Sequence, residues 1–258
     1  MKGKKLMVRA VICTAIVFMV AWLGSAPAEE KAKLTAAKIL DKCDDFHFFA
    51  KDMEIHIDVT VKDKEGKEDY HKLIMFQKGK DKRLLRWTEP ADLADFAVLN
   101  KDANTMYVYE PSLGKVRRIA SHAKKQTMLG YDYTLDESSI FRLANEYDPA
   151  IESEDDKQVN LKLTQKPGKD LAWPILNVVV NKKYFNADKI EYRDKDGKKH
   201  KTETRTGVKK WDGHNYCSMS VMKDHGKSHS TTYKYTDVRF NRGLDDDLFS
   251  KRALVRDE

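Results

Sequence analysis

The chain has 258 residues, with 48 Lys+Arg against 41 Asp+Glu and a formal net charge of +7, a length that allows one large all-β domain or two smaller ones. Four of the basic residues (Lys2, Lys4, Lys5 and Arg9) lie in the first 28 positions, which hold no acid, so the remainder carries 44 against 41, or +3. So small an excess, interspersed with acids, describes a solvated surface and excludes a nucleic-acid footprint.

Residues 1–28 read as a signal peptide. A basic start is followed by the apolar run Ala10 to Leu23, then by the small-x-small pattern Ala26-Pro27-Ala28 and by Glu29-Glu30. The run falls short of the about 20 residues that a membrane span needs; an uncleaved anchor is the alternative. Cys13 lies inside the run without the small neighbours of a lipoprotein processing site. Residues 29–258 then form a single domain, since no Pro/Gly/Ser linker or composition shift divides them.

Leu34 to about Phe49 reads as a helix, with Leu34, Ala37, Leu40, Cys43 and Phe46 recurring at three-residue spacing. Ile55, Ile57, Val59 and Val61 then alternate with polar residues, which is a half-buried strand. The chain turns at Lys64-Glu65-Gly66-Lys67 and returns through Tyr70 to Gln77, where Leu73 to Phe76 are apolar on both faces. A third strand runs Arg83 to Trp87, and short apolar runs follow at Phe96–Leu99, Met106–Tyr109 and Lys115–Ile119, an antiparallel meander. The stretch from Trp87 to Phe141 is rich in Met, Tyr, Phe and Leu beside Gly130, which suits an adaptable apolar surface.

Thr134-Leu135-Asp136-Glu137 has the spacing of a helix capping box. The helix it opens is expected to carry Ile140, Phe141 and Leu143 on one face and to stop before Asp148-Pro149. Strands resume at Val159–Leu163, Ile175–Val180 and Lys189–Arg193, with a hairpin signal at Asp196-Gly197. A polar arm, His200 to Val208, ends at Asp212-Gly213, and the last long strands are Asn215–Met222 and Ser230–Phe240. This makes roughly eleven strands and two helices, a mainly β (α+β) chain whose sheet is curved around a filled or ligand-lined concave side.

Candidate chemistry is sparse. His225 and His229 are four apart, but on a turn, and read as exposed turn histidines. Asp245–Asp247 reads as the acidic cap of a terminal turn. Neither a nucleophile elbow, nor a paired-histidine zinc motif, nor a phosphate-cradling glycine loop is present, so the chain reads as no enzyme and needs no cofactor or metal. Cys43 and Cys217 are either two separately buried thiols or a disulfide of an exported protein. Lys115, Arg117, Arg118, Lys124 and Lys125 form the densest basic patch, either a wet strand edge or a docking surface for anionic head groups or an acidic partner.

Lys115-Val116-Arg117-Arg118-Ile119 followed by Met128-Leu129-Gly130-Tyr131-Asp132-Tyr133 resembles the outer-membrane lipoprotein-sorting protein family, relatives of LolA and LolB. Arg86-Trp87-Thr88-Glu89-Pro90, Met106 to Pro111, Lys189 to Tyr192 and Val238 to Asn241 are similar to the same pattern, so the match runs from about Lys33 to Leu254. The resemblance implies an incomplete antiparallel barrel of about eleven strands with helices covering its open side, and an apolar cavity for acyl chains. It implies a monomeric periplasmic carrier or chaperone whose cargo is an acylated lipoprotein or lipid, served by an inner-membrane transporter and an outer-membrane acceptor. The candidate lining is Trp87, Phe96, Val98, Met106, Val108, Met128, Leu129, Tyr131 and Phe141, with Arg117 and Arg118 for docking. The alternatives are an interaction or sensor module, an accessory of an inner-membrane lipid exporter, and a lipid-modifying enzyme.

Overall fold

The computed structural model describes residues 33–102 and 104–255, and the proposed leader lies outside them. Helix α1 (Ala36–Phe48) begins after Thr35, whose hydroxyl accepts the Lys38 N–H and so satisfies one of the free donors of the first turn. Its buried stripe is Ile39, Leu40, Cys43, Asp44 and His47. The evenly spaced set expected from sequence is thus off-register, and Ala37 is exposed. Three residues fall about 60° short of a full helical turn, so a strict triplet drifts off any one face, whereas alternating steps of three and four stay on it.

Strands β1 (Asp52–Lys62), β2 (Glu68–Lys78), β3 (Lys82–Glu89), β4 (Ala97–Asn100), β5 (Met106–Glu110) and β6 (Lys115–Arg118) pair in sequence as a meander. Two short helices follow, α2 (Leu135–Ser139) and α3 (Leu143–Glu146). A second meander contains β7 (Tyr147–Glu154), β8 (Gln158–Gln165), β9 (Ile175–Asn181), β10 (Ala187–Arg193) and β11 (Lys199–Thr206). After β11 the chain forms a separate hairpin, β12 (Lys209–Trp211) and β13 (His214–Tyr216), before β14 (Met219–Asp224) and β15 (His229–Phe240) rejoin the main sheet.

The main sheet has thirteen strands in the order β6-β5-β4-β3-β2-β1-β15-β14-β11-β10-β9-β8-β7. The last strand therefore pairs with the first, with Val59 opposite Tyr233, and this seam joins the two meanders. The outer strands β6 and β7 do not pair, so the antiparallel sheet stays open. The strand count exceeds the expected eleven in part because β12 has no counterpart in the expected set, and for two further reasons. Asn215–Met222 divides at Cys217-Ser218 between the small hairpin and β14, and Asp148-Pro149 lies inside β7 instead of ending a helix. Proline is tolerated there because β7 is an edge strand, where a missing N–H costs no ladder bond.

The expected mid-chain helix also breaks in two. The capping box is present, with Thr134 Oγ1 accepting the Glu137 N–H and the Glu137 carboxylate accepting the Thr134 N–H. Ser138 and Ser139 then turn their hydroxyls back onto the Leu135 and Asp136 carbonyls, and Ile140 is already extended. Serines that serve the backbone locally compete with helix continuation.

The core divides by face. One inner cluster contains Ile55, Ile57, Val59, Trp87 and Val98; a second, beneath α1, contains Leu40, Cys43, Leu161, Leu176 and Ile190. A third packs Leu84, Ala97 and Leu99 against Phe249 and Leu254 of the C-terminal segment. That segment covers the outer face of β3 and β4, which explains why the first meander reads as apolar on both sides.

Candidate functional site

The alternation of β3 builds one wall of a cavity on the concave face. Arg83, Leu85 and Trp87 point inward to the cavity, while Leu84 and Arg86 point outward, where Arg86 Nη2 donates to the Ala253 carbonyl at 2.8 Å. Leu73, Met75 and Gln77 of β2 continue the same wall. The cavity measures about 230 Å³, room for on the order of 15 waters or an equivalent stretch of hydrocarbon.

Cover comes from α1, from the 126–134 loop and from α2, with Phe48, Met128, Leu135 and Phe141 on its lining. In the loop, Tyr131 N–H donates to the Met128 carbonyl, and both residues between them have positive φ, Leu129 at 53° and Gly130 at 72°. Glycine takes this conformation freely and leucine does not. The loop is nevertheless held: the Tyr131 hydroxyl accepts the Trp87 Nε1–H at 2.8 Å and meets His71 Nδ1 at 2.8 Å. Arg83 ties the sheet to α2 by donating Nη1–H to the Ser138 carbonyl at 2.6 Å, while its Nε and Nη2 both donate to Gln77 Oε1.

The opposite wall is polar and buried. On β11, Lys201, Glu203 and Arg205 alternate inward. Glu203 accepts from Arg205 Nε at 2.6 Å, Ser220 Oγ at 2.8 Å and Tyr192 Oη at 2.8 Å. Burial opposes its ionisation, but the Arg205 guanidinium and these donors outweigh burial and hold its carboxyl down at about 2. Burial and the same guanidinium depress His47 well below the ordinary imidazole range, so its Nε2 accepts from Arg205 Nη1 at 3.0 Å. Lys201 donates to the Asp132 carbonyl of the cover loop and lies 3.3 Å from Glu137, whose carboxyl burial raises. Asp44 is pushed up by burial to about 6 even though it caps α3, accepting the Leu143 and Ala144 N–H groups at 2.9 Å.

Two sequence expectations change at this wall. The arm from His200 to Val208 is a cavity wall as well as a wet strand. His229 is not an exposed turn residue either, because its Nδ1 lies 3.0 Å from the Asp132 carboxylate, which Thr231 also serves. Cys43 and Cys217 are free, buried thiols that burial pushes up to about 12, and both line the cavity. Among the described residues, no group of three or more His, Cys, Asp or Glu side chains is placed to hold a metal ion, and no helix is long and apolar enough to cross a membrane.

Of the lining expected from sequence, Trp87, Met128, Tyr131 and Phe141 reach the cavity. Phe96, Val98, Met106 and Val108 do not. They are buried in the adjoining core cluster, against which Ile119 and Leu129 pack. Val98 pairs with Leu85 on one side and Val108 on the other, so these residues share the inward face but sit one or two strands beyond the cavity. Arg117 and Arg118 are exposed on edge strand β6, with Arg117 paired to Glu110. Sequence reasoning missed Arg83, Glu203 and Arg205; the available signal was opposite charge at Glu203 and Arg205, two apart and therefore on one strand face.

A family model with the description "Uncharacterized protein" matches residues 79–256. Among curated proteins, no sequence matches. Solved structures do. A domain described as an outer membrane lipoprotein-sorting protein from Vibrio parahaemolyticus aligns at TM-score 0.76 and 20% identity, covering 86% of this chain and 98% of its own. A LolA superfamily protein from Nitrosomonas europaea aligns at TM-score 0.72 and 22% identity, covering 86% and 100%. A DUF1329 family protein from Desulfovibrio piger aligns at TM-score 0.79 and 21% identity, covering 85% and 97%. The chain thus belongs to the family whose model spans residues 79–256, and its fold is the open half-barrel of the LolA superfamily.

Proposed function

We propose that this protein is an exported carrier that shields acyl chains of a lipoprotein or lipid in its cavity and moves them toward the outer membrane. The observation that carries the reading is the covered cavity of about 230 Å³, walled on the β2–β3 side by Leu73, Met75, Leu85 and Trp87. Burying a chain of ~16 carbons at ~0.8 kcal/mol per CH₂ gives roughly 12 kcal/mol before ordering costs, so apolar fit alone can retain a lipid. Release needs a cover that moves. Helix α2 spans only Leu135–Ser139, and its ties are few, among them Arg83 to Ser138, Lys201 to Glu137 and the Ala172 N–H to Asp136, so it is a small unit to shift. In this reading residues 1–28 are removed on export, 29–258 act as one domain in the periplasm, and the Arg117–Arg118 edge docks on an anionic surface.

Native mass spectrometry of the protein isolated from periplasm tests this directly. The expected result is a mass increment that denaturation releases as acylated lipid. Protein that carries none and takes up none from vesicles would end the carrier reading. A lasting complex with an envelope membrane protein, without turnover of cargo, would favour an interaction module instead.

A further inference from the structure

Among the described residues, Arg83 is the one cation on the cavity lining that has no carboxylate beside it. Each inward carboxylate is already committed: Glu203 to Arg205, Glu137 to Lys201, Asp44 to the start of α3, and Asp136 to the Ala172 N–H. Arg83 has no carboxylate partner among the described residues. It is 9% exposed, its partners are the neutral Gln77 and Ser138 oxygens, and Phe141 lies 4.3 Å from its guanidinium carbon. Three of its five N–H groups are used, leaving one on each terminal nitrogen. Burial without a counter-ion also draws its pKa down to about 10. Two further buried atoms on the lining lack partners, Trp173 Nε1 and Tyr233 Oη, and both can donate. An unpaired guanidinium with two free N–H groups, set among apolar walls, is locally complementary to an anion on an apolar tail.

We propose that the cavity selects an acyl chain ending in a carboxylate, with the Arg83 guanidinium taking the carboxylate beneath α2. The inference deepens the carrier reading and rests on it. A carboxylate matches Arg83 better than a phosphate monoester, since its two oxygens meet the two free N–H groups of the guanidinium and its single charge meets the single cation.

Equilibrium binding of radiolabelled dodecanoate, dodecanol and dodecyl phosphate to the intact protein tests it. The wild type is expected to bind dodecanoate at least about tenfold tighter than dodecanol, the range of one charge-assisted hydrogen-bonded pair, and tighter than dodecyl phosphate. In Arg83→Gln the dodecanoate preference should fall to near unity while dodecanol affinity is kept, which also reports an intact cavity. Arg83→Lys, which keeps the charge, should retain part of it. Should Arg83→Gln fail to fold, the carboxyl ¹³C resonance of bound dodecanoate in the wild type decides: a carboxyl against the guanidinium titrates below its free value. Equal binding of dodecanoate and dodecanol, a raised carboxyl titration, or a preference that survives Arg83→Gln would each overturn the proposal while leaving the carrier reading standing. Dodecyl phosphate binding tightest would overturn the choice of carboxylate. Binding of none of the three would count against the carrier reading itself.

Discussion

The two walls of the cavity follow opposite rules. On β3 the inward residues Leu85 and Trp87 stabilise by leaving water, and one cation, Arg83, stands at the end of the row. On β11 every second residue is charged: Lys201 and Glu203 are buried, Arg205 is half-buried, and each has found a partner. The first wall rests on non-directional apolar contact, the second on a network of directional hydrogen bonds and ion pairs. One wall offers apolar surface; the other fixes β10, β11 and β14 to one another and, through Lys201, to the Asp132 loop and α2.

Breaking the polar wall should have the largest effect. Glu203→Ala leaves the half-buried Arg205 guanidinium without its carboxylate and is expected to cost about 3 kcal/mol, read by chemical denaturation. The same pair predicts an acid limb. Because Glu203 is held down from 4.5 to about 2, its contribution is complete above pH 4.5 and is lost as pH falls toward 2, about 3 kcal/mol in all. Asp44 acts with the opposite sign: raised from 3.8 to about 6, it lowers stability as pH rises through that window. Unfolding midpoints measured against pH should therefore fall on the acid side, and Glu203→Gln should flatten the fall.

Smaller changes sharpen the contrast on the apolar wall. Tyr131→Phe strands the Trp87 N–H beneath the cover loop and is expected to cost about 1–3 kcal/mol, with faster amide exchange in residues 126–134. Gly130→Ala meets no steric contact but forces alanine into a φ of 72°, and is expected to cost roughly 1 kcal/mol, read by the same denaturation.

The same contrast explains what the sequence makes legible. Ile55 to Val61 announces its face because apolar alternation has one physical reading, and the Thr134–Glu137 box announces a helix start. The resemblance carried in Lys115–Tyr133 led to the correct fold. The β11 wall stayed hidden because Lys, Glu and Arg alternating with Thr is also what a fully wet strand looks like; only pairing across strands β10, β11 and β14 tells them apart. Val98, Met106 and Val108 lie one or two strands beyond the cavity and Phe96 in the loop before β4, since the distance from a cavity is a property of the curved sheet and not of any one run of residues. The split between α2 and α3 depends on where two serine hydroxyls turn, which spacing alone does not encode.

The central claim is that an acyl chain lies against the β2–β3 wall. Quenching of Trp87 by an acyl chain brominated at mid-chain, in wild type and in Leu85→Glu, tests it most directly. With Trp173, the other tryptophan on the lining, replaced by Phe throughout, the account predicts saturable quenching that is lost on Trp87→Phe, and at least about tenfold weaker binding in a folded Leu85→Glu, where a charge enters the apolar wall. Quenching that is absent, or that Leu85→Glu leaves unchanged, would contradict it.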